Sequence, residues 1–130
     1  MEDGVALDAS ALLAMLLEES GGDKVRTALA GSAMTTVTLA EVAGYYARNG
    51  VAERDIHLLL DSLEIERVVF DEELAYGAAM LLPATKTAGL SLGDRACLAL
   101  ARQRGVTALT ADRAWQSLAR PLGIAIEVIR

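Results

Sequence analysis

Residues 4–16 read GVALDASALLAML, a short apolar run that ends at Asp8 and continues with the spacing of an apolar helix face. A strand inside a parallel sheet is typically a short continuous apolar run, and a crossover helix returns the chain to the sheet. The stretch therefore predicts a buried strand that leads directly into a helix, with an aspartate at the junction.

The same alternation of strand and helix continues along the rest of the chain. Further strands are predicted at 33–36, 65–70, 106–110 and 124–129, and further helices from Thr38 to near Gly50, at 53–63, at 71–82 and at 92–104. Pro83 should break the third of these helices or lie just beyond its end. Strands that alternate with helices form a mostly parallel sheet covered on both faces. We therefore predict an α/β fold, a three-layer α/β/α sandwich with a parallel five-stranded sheet, in a single domain of residues 1–130.

The composition is typical of an ordinary globular domain. Hydrophobic residues make up 53% of the 130 residues and the net charge is −6, which excludes a disordered chain and argues against a generally basic nucleic-acid-binding surface. The one cysteine, Cys97, lies in an apolar helical run, so we expect a small buried hydrophobe and no disulfide framework. No apolar stretch reaches the roughly 18 residues of a membrane span, and the acidic start MEDG is unlike a signal peptide. We therefore expect a cytoplasmic protein that does not associate with membranes.

Four acidic residues lie near the predicted strand-to-helix junctions. Asp8, Glu41 and Asp112 lie at or just past the ends of predicted strands, and Asp94 lies in the first turn of the helix that begins near residue 92. In open parallel sheets, ligands bind beyond the carboxyl ends of the strands, where the strand order reverses. The four carboxylates could therefore face one small volume.

Each acid also has a simpler interpretation as a helix cap. Ser91 and Asp94 form the S-x-x-D capping-box pattern, and Thr38 and Glu41 repeat that spacing. A negative charge near a helix N-terminus contributes ~0.3–1 kcal/mol, so four caps would need no ligand. A metal-free interaction module, in which all four acids are caps, therefore stays open.

Convergence of the four carboxylates would require a cation. Two carboxylates about 4 Å apart repel each other by ~4 kcal/mol at an effective dielectric constant of 20. The nearby sequence offers carboxylates and hydroxyl groups but no Cys/His ligand set, and hard oxygen ligands suit Mg²⁺ or Mn²⁺. Such a site indicates phosphoryl transfer or phosphodiester hydrolysis.

The four acids, in their order and contexts, resemble the acidic motifs of PIN-domain nucleases, specifically the small VapC-type toxins of bacterial toxin–antitoxin pairs. The matching segments are LDASALLAML at 7–16, TLAEV at 38–42, LSLGDRACLALA at 90–101 and LTADRAW at 109–115. The resemblance spans essentially the whole chain, and its specificity lies in the ordered set of motifs. It implies a five-stranded parallel sheet, Mg²⁺- or Mn²⁺-dependent cleavage of RNA, a homodimer, and inhibition by a VapB-type antitoxin whose C-terminal segment covers the active site.

The resemblance also implies roles for six residues. It makes the acidic quartet Asp8, Glu41, Asp94 and Asp112, with flanking hydroxyl groups at Ser10 and Thr110. We expect Asp8 and Asp94 to be direct metal ligands, and the other two acids to be further or water-mediated ligands that fix the geometry. The positions after Asp112 read RAWQ, so the further acid that some PIN domains carry there is missing.

Five other residues are candidates for the same chemistry or for RNA binding. Arg95 and Arg113 each follow a quartet acid and are candidate contacts for RNA phosphates, with surface salt bridges as the alternative because adjacent helical residues point about 100° apart. Tyr45 and Tyr46 are assigned to packing, with base stacking as the alternative. His57 is the only histidine and is predicted on a helix surface, which excludes a two-histidine acid–base route within one chain. The nucleophile is therefore expected to be a metal-activated water.

Other families fit the sequence less well. A phosphatase of the haloacid-dehalogenase type also has an aspartate after its first strand but needs a D-x-D pair, and Ser10 occupies the second position. A receiver-like domain would use Asp71, but it also needs an acidic pair after the first strand and a lysine after its last strands, and this sequence has neither. An RNA-processing PIN nuclease that is not a toxin fits the same motifs and stays open.

Overall fold

The computed structural model describes residues 4–130. The strands are β1 (Val5–Leu7), β2 (Ser32–Thr35), β3 (Ile65–Val68), β4 (Thr107–Thr110) and β5 (Ile126–Val128). The helices are α1 (Ala9–Leu16), α2 (Gly22–Ala28), α3 (Thr36–Arg48), α4 (Glu53–Leu60), α5 (Glu72–Met80), α6 (Leu82–Thr85), α7 (Leu92–Arg104) and α8 (Ala119–Leu122). Two 3-10 segments, Leu29–Gly31 and Arg113–Leu118, complete these elements. No helix within residues 4–130 is both long and apolar enough to cross a membrane.

The predicted fold class is confirmed. The strands are all parallel and form one sheet in the order β3-β2-β1-β4-β5, with a buried apolar cluster on each face. The predicted strands and long helices are present, and α5 ends at Met80, so Pro83 lies beyond it in the first turn of α6. The sequence pattern missed α2, α6, α8 and both 3-10 segments. Each is too short for an apolar periodicity to be read from the sequence.

A row of alanines across the sheet sets the position of α7. Ala6 of β1 is in register with Ala33 of β2 and with Ala108 of β4, and all three belong to one buried cluster. Against these strands α7 packs an unbroken buried run at 96–101, ACLALA. Small side chains on both surfaces allow the helix and the sheet to approach closely. Because α7 runs antiparallel to the strand that follows it, its first turn, with Asp94, lies at the carboxyl edge of the sheet.

The opposite face of the sheet carries larger side chains. Leu7, Met34 and Leu109 each follow one of those alanines in sequence, and successive strand residues point to opposite faces. They pack in a second cluster with Val42 of α3 and Ile56 of α4. Burial of both faces explains why the strands read as near-continuous apolar runs.

The strand order reverses at β1, which lies in the middle of the sheet between β2 and β4. Leu7 is in register with Leu109, and the Asp8 amide donates to the Leu109 carbonyl at 3.2 Å. The residues that follow β1 and β4 are therefore neighbours, in the crevice where open parallel sheets bind ligands.

The start of α3 differs from its prediction. The N-cap is Thr35, whose hydroxyl accepts a hydrogen bond from the Thr38 amide at 3.2 Å. Thr38, the predicted cap, lies inside the helix and is fully buried, because β2 ends at Thr35 and the helix begins at the next residue. Glu41 therefore lies in the second turn of α3, and the predicted capping box with Thr38 is wrong.

Candidate active site

A cavity of about 530 Å³ opens at the carboxyl edge of the sheet. All four acids that the sequence singled out line it. The lining residues are Asp8, Ala9, Ser10, Leu13, Glu41, Gly44, Tyr45, Arg48, Asp94 and Asp112. The tertiary structure therefore brings together four carboxylates that lie far apart in the sequence.

Asp8 is the most deeply buried of the four acids, with 2% of its surface exposed. It is the N-cap of α1, where its Oδ1 accepts a hydrogen bond from the Ala11 amide at 2.8 Å. Its Oδ2 accepts from the Thr110 hydroxyl at 2.6 Å, and the Ser10 hydroxyl lies 2.9 Å from both carboxylate oxygens. The capping interpretation is therefore correct for Asp8 but incomplete, because the same side chain also forms part of the cavity wall.

Two hydroxyl groups hold the Asp8 carboxylate in place. Thr110 is fully buried at the end of β4, and its Oγ1 accepts a hydrogen bond from the Asp112 amide at 3.0 Å while it donates to Asp8. The Ser10 hydroxyl accepts from the Ala111 amide at 2.9 Å. These contacts join the ends of β1 and β4 and fix the orientation of the carboxylate.

Asp94 and Asp112 each use one carboxylate oxygen in a cap. The Ser91 hydroxyl accepts from the Asp94 amide at 3.2 Å, and Asp94 Oδ2 accepts from the Ser91 amide at 2.9 Å, which is the predicted capping box. Asp112 caps the 3-10 segment that follows it, with its Oδ1 accepting from the Ala114 amide at 3.0 Å. The second oxygen of each carboxylate takes no part in these caps, and both residues line the cavity.

Glu41 reaches the cavity from α3 and is not the cap of that helix. Its carboxylate lies directly against the backbone of Gly93 in α7, so that a Cβ atom at position 93 would overlap both carboxylate oxygens. The absence of a side chain at Gly93 is therefore what allows the α3 carboxylate to lie beside α7.

Burial dominates the electrostatics of the cavity. It raises the pKa of Asp8 to about 6, against the lowering effect of the three hydrogen bonds to that carboxylate, and the charge of Asp94 adds to the rise. Burial also raises the pKa of Glu41, and again the charge of Asp94 adds. The ionised forms of both acids are therefore destabilised in the folded protein, and Asp94 is the neighbour that acts on both.

The buried thiol of Cys97 lies close to the same carboxylates. Burial raises its pKa, and the negative charges of Asp8, Asp94 and Glu41 raise it further. The residue is 1% exposed and forms no disulfide, so the predicted small buried hydrophobe is confirmed. Three of the four carboxylates therefore lie close enough to this one thiol to raise its pKa.

The donor set of the cavity fits a hard divalent cation. It presents carboxylate oxygens supported by hydroxyl groups, and a cation would stabilise the buried negative charge of Asp8. Within residues 4–130, no three carboxylate, imidazole or thiol groups already surround one point as the ligands of a single ion. Binding therefore requires side-chain rotation or bridging waters, which suits Mg²⁺ because that ion keeps several of its waters.

One face of α3 forms a further wall of the cavity. Glu41, Gly44, Tyr45 and Arg48 line it at positions i, i+3, i+4 and i+7. The guanidinium carbon of Arg48 lies 5.7 Å from the centroid of the Tyr45 ring, which is within the range of a cation–π contact. Arg48 was missed in the sequence, although its seven-residue spacing from Glu41 on a predicted helix was a usable signal.

The two arginines next to quartet acids do not line the cavity. Arg95 donates to the Ala78 carbonyl of α5 at 3.2 Å, and Arg113 donates to the Arg130 carbonyl at 3.1 Å. The roughly 100° step between adjacent helical residues explains why Arg95 points away from the cavity that Asp94 faces. His57 lies on the exposed face of α4, as predicted, and is also outside the cavity.

Comparison with known proteins bears on both the fold and the family. DNA-bound VapBC from Salmonella typhimurium has a TM-score of 0.71 at 19% identity, covering 97% of this chain and 98% of that chain. VapBC2 from Rickettsia felis, bound to a promoter DNA fragment, has a TM-score of 0.69 at 17% identity, covering 95% and 96%. VapBC-5 from Mycobacterium tuberculosis, a member of the VapBC family of toxin–antitoxin systems, has a TM-score of 0.58 at 23% identity, covering 99% of each chain. Among curated proteins, no significant relative is found.

These likenesses establish a shared fold, and the family follows from a separate match. The family model of the PIN domain matches residues 5–121, a range that contains all five residues Asp8, Glu41, Gly93, Asp94 and Asp112 described above. The resemblance that the four acidic motifs indicated is thereby confirmed at the level of the family. The chain belongs to the PIN-domain family.

Proposed function

We propose that this protein is a Mg²⁺- or Mn²⁺-dependent endoribonuclease that acts as the toxin of a toxin–antitoxin pair. The observation that carries the proposal is the position of Asp8, which is 2% exposed and lines one cavity with the other three acids. The negative charge of Asp94 also raises the pKa of Asp8. A helix cap does not require such burial among other acids. Asp71, for example, caps α5 from an exposed position.

The four acids are the proposed metal ligands. Asp8 and Asp94 would hold the ion directly, and Glu41 and Asp112 would hold it directly or through water. A bound Mg²⁺ or Mn²⁺ supplies a water of lowered pKa and neutralises negative charge on the phosphate. The hydroxyl groups of Ser10 and Thr110 support this chemistry indirectly, because they fix the orientation of the Asp8 carboxylate.

RNA is the proposed substrate, and water is the proposed nucleophile. His57 is the only histidine and lies on the exposed face of α4, outside the cavity. No histidine pair within one chain is therefore available to deprotonate a 2′-hydroxyl group and protonate the leaving oxygen. Attack by water on the phosphorus with cleavage of the P–O3′ bond leaves 5′-phosphate and 3′-hydroxyl ends. Attack by the 2′-hydroxyl group breaks the P–O5′ bond instead and leaves a 2′,3′-cyclic phosphate and a 5′-hydroxyl end. Finding the cyclic product would refute the mechanism.

The proposed partner is a VapB-type antitoxin. One of the similar structures, VapBC-5, is a member of the VapBC family of toxin–antitoxin systems, and it shares the fold of this chain over nearly the full length of both chains. We propose the same pairing here. Expression of the chain should then arrest growth, and co-expression of the antitoxin should relieve the arrest. Growth that is unaffected by an active nuclease would favour the RNA-processing alternative.

An apolar groove beside the cavity is the proposed binding site of the antitoxin segment. The groove lies between α3 and α4, has a volume of about 410 Å³, and shares Gly44 with the acidic cavity. Its aliphatic lining includes Leu39, Ala43, Val51, Ile56 and Leu60. One segment with apolar and basic side chains could therefore fill the groove and also reach the carboxylates. Ala47→Glu, which adds a charge to the groove, should weaken inhibition by the antitoxin.

The test of the active site uses two matched aspartates. Asp94→Asn keeps the shape of the side chain but removes a ligand charge, so it should abolish Mn²⁺-dependent RNA cleavage while the protein stays folded. Asp71→Asn removes a carboxylate from a helix cap outside the cavity and should cleave RNA like the parent. Full activity of the Asp94 variant would refute the site, and a parent that takes up no Mn²⁺ in titration calorimetry would favour the metal-free module.

We further propose a homodimer that acts in the cytoplasm, as the family resemblance implies. Light scattering should then give about twice the chain mass of 13.7 kDa, and a monomeric mass at micromolar concentration would contradict the dimer. Cell fractionation tests the location. Contacts of Arg95 and Arg113 with RNA phosphates stay predictions, and they would involve parts of the RNA that lie outside the cavity.

A further inference from the structure

The cavity poses an electrostatic problem for an RNA nuclease. Four carboxylates line it and the net charge of the chain is −6, whereas the substrate is a polyanion. A metal ion neutralises charge at the phosphate that reacts, but the phosphates beside it also need a cation. Among residues 4–130, Arg48 is the only cationic side chain that lines this cavity.

The contact between Arg48 and Tyr45 holds the guanidinium group at the cavity. The guanidinium carbon lies 5.7 Å from the centroid of the Tyr45 ring, and Tyr46 braces that ring edge-on at 5.3 Å between centroids. A guanidinium group over an aromatic ring keeps its N–H donors free at its edge. The side chain is therefore restrained without using the donors that bind a phosphate, which reduces the entropy that binding has to remove.

The position of Arg48 along α3 indicates which phosphate it meets. It lies seven residues after Glu41, two helical turns on the same face, which places it about 10 Å further along the helix axis. It is therefore set apart from the acids that hold the metal but opens onto the same cavity. We infer that Arg48 binds an RNA phosphate next to the one that is cleaved, and that Tyr45 is the residue that positions Arg48 for it; this inference rests on the proposed nuclease function.

Single-turnover cleavage of a fluorescent single-stranded RNA with Mn²⁺ tests the inference. Arg48→Ala should raise the half-saturating enzyme concentration by about tenfold, with little change in the maximal cleavage rate, because Arg48 does not touch the reacting atoms. The slope of log affinity against log salt concentration should fall in magnitude by about 0.7, the value for one phosphate contact to a single strand. Arg48→Lys keeps the charge and should keep most of the slope.

The matched control is Arg54→Ala, which removes the same charge from an exposed position on α4 outside the cavity. It should change the half-saturating concentration by less than about twofold, since it removes no phosphate contact. Tyr45→Phe keeps the ring and should bind RNA like the parent, whereas Tyr45→Leu should raise the half-saturating concentration several-fold. In the Arg48→Ala background, Tyr45→Leu should add nothing, because two residues that act through one contact are not additive.

The possible failures are distinguishable. A parent that does not cleave RNA overturns the proposed function together with this inference. A parent that cleaves RNA, with Arg48→Ala equal to Arg54→Ala in affinity and salt dependence, overturns the inference alone. A full effect of Tyr45→Leu in the Arg48→Ala background overturns the positioning role of Tyr45. Circular dichroism melts of each variant establish that it is folded.

Discussion

Replacing Gly93 with alanine should separate the stability of this fold from its metal binding. The Glu41 carboxylate lies where the new methyl group would be, so the carboxylate has to move by at least about 1 Å to regain a normal carbon–oxygen separation. The end of a flexible side chain is what moves, and the backbone of α3 and α7 need not. The perturbation therefore acts on one proposed metal ligand and on little else.

The two expected free-energy changes differ in size. Alanine in place of a glycine with an ordinary negative φ, as at Gly93, stabilises a protein by about 0.4–1 kcal/mol, because it reduces the conformational entropy of the unfolded chain. An unfavourable rotamer of Glu41 costs about as much, so the free energy of unfolding should change by less than about 1 kcal/mol. Displacement of a metal ligand or its support typically lowers metal affinity 10- to 100-fold, which corresponds to roughly 1.4–2.7 kcal/mol. The loss of metal affinity should therefore exceed any change in stability.

Mn²⁺ titration calorimetry and urea unfolding in EDTA measure the two quantities. Gly44→Ala is the matched control, because it also adds a methyl group to a cavity-lining helix but meets no atom within 4 Å. It should leave Mn²⁺ affinity unchanged. In a Glu41→Ala background, Gly93→Ala should have no further effect on Mn²⁺ affinity. Parent-like Mn²⁺ binding by the Gly93→Ala variant would refute the claim that Glu41 is a ligand held in place by Gly93.

Three further predictions concern the buried carboxylate. The folded-state pKa of Asp8 is raised from 3.8 to about 6, so the metal-free folded state binds the proton of this carboxyl more tightly than the unfolded state does. The resulting stabilisation, roughly 3 kcal/mol well below about pH 4, is lost as pH rises through about 6, and the free energy of unfolding should fall by roughly 2 kcal/mol between about pH 4 and about pH 6. Urea melts in EDTA check this, and an Asp8→Asn variant with the same slope would contradict it. Mn²⁺ at about a hundred times its dissociation constant should stabilise the parent by ~2.7 kcal/mol. It should not stabilise the Asp8→Asn, Asp94→Asn double variant. A parent whose melting temperature does not change in millimolar Mn²⁺ would leave the four acids as helix caps. Thr110→Val removes the 2.6 Å hydrogen bond to Asp8 and should lower the free energy of unfolding by about 1–3 kcal/mol. The control is Thr27→Val, at an exposed position. An equal effect of the two substitutions would show that the buried hydrogen bond contributes nothing to stability.

The sequence alone determined the features that depend on neighbouring residues. The run GVALDASALLAML predicted a buried strand that leads into a helix, and the structure has β1 and α1 there. The Ser91 and Asp94 spacing predicted a capping box, which forms. Strand alternation, caps and apolar helix faces are set by residues within one or two turns of each other, so the fold class and the junction positions of Asp8, Asp94 and Asp112 could be predicted.

Only the tertiary structure decided what those acids contact. Asp8 and Thr110 are 102 residues apart and share a 2.6 Å hydrogen bond, because parallel pairing places the end of β1 beside the end of β4. The sequence pattern predicted Thr38 as the cap of α3, but β2 ends at Thr35 and the helix begins at the next residue, so Thr35 is the cap. The contact of Glu41 with Gly93, and the place of Arg48 at the cavity, depend on how α3 and α7 pack on the sheet. The pattern of a single helix records which face a residue occupies, but the neighbour that meets this face is set by long-range packing.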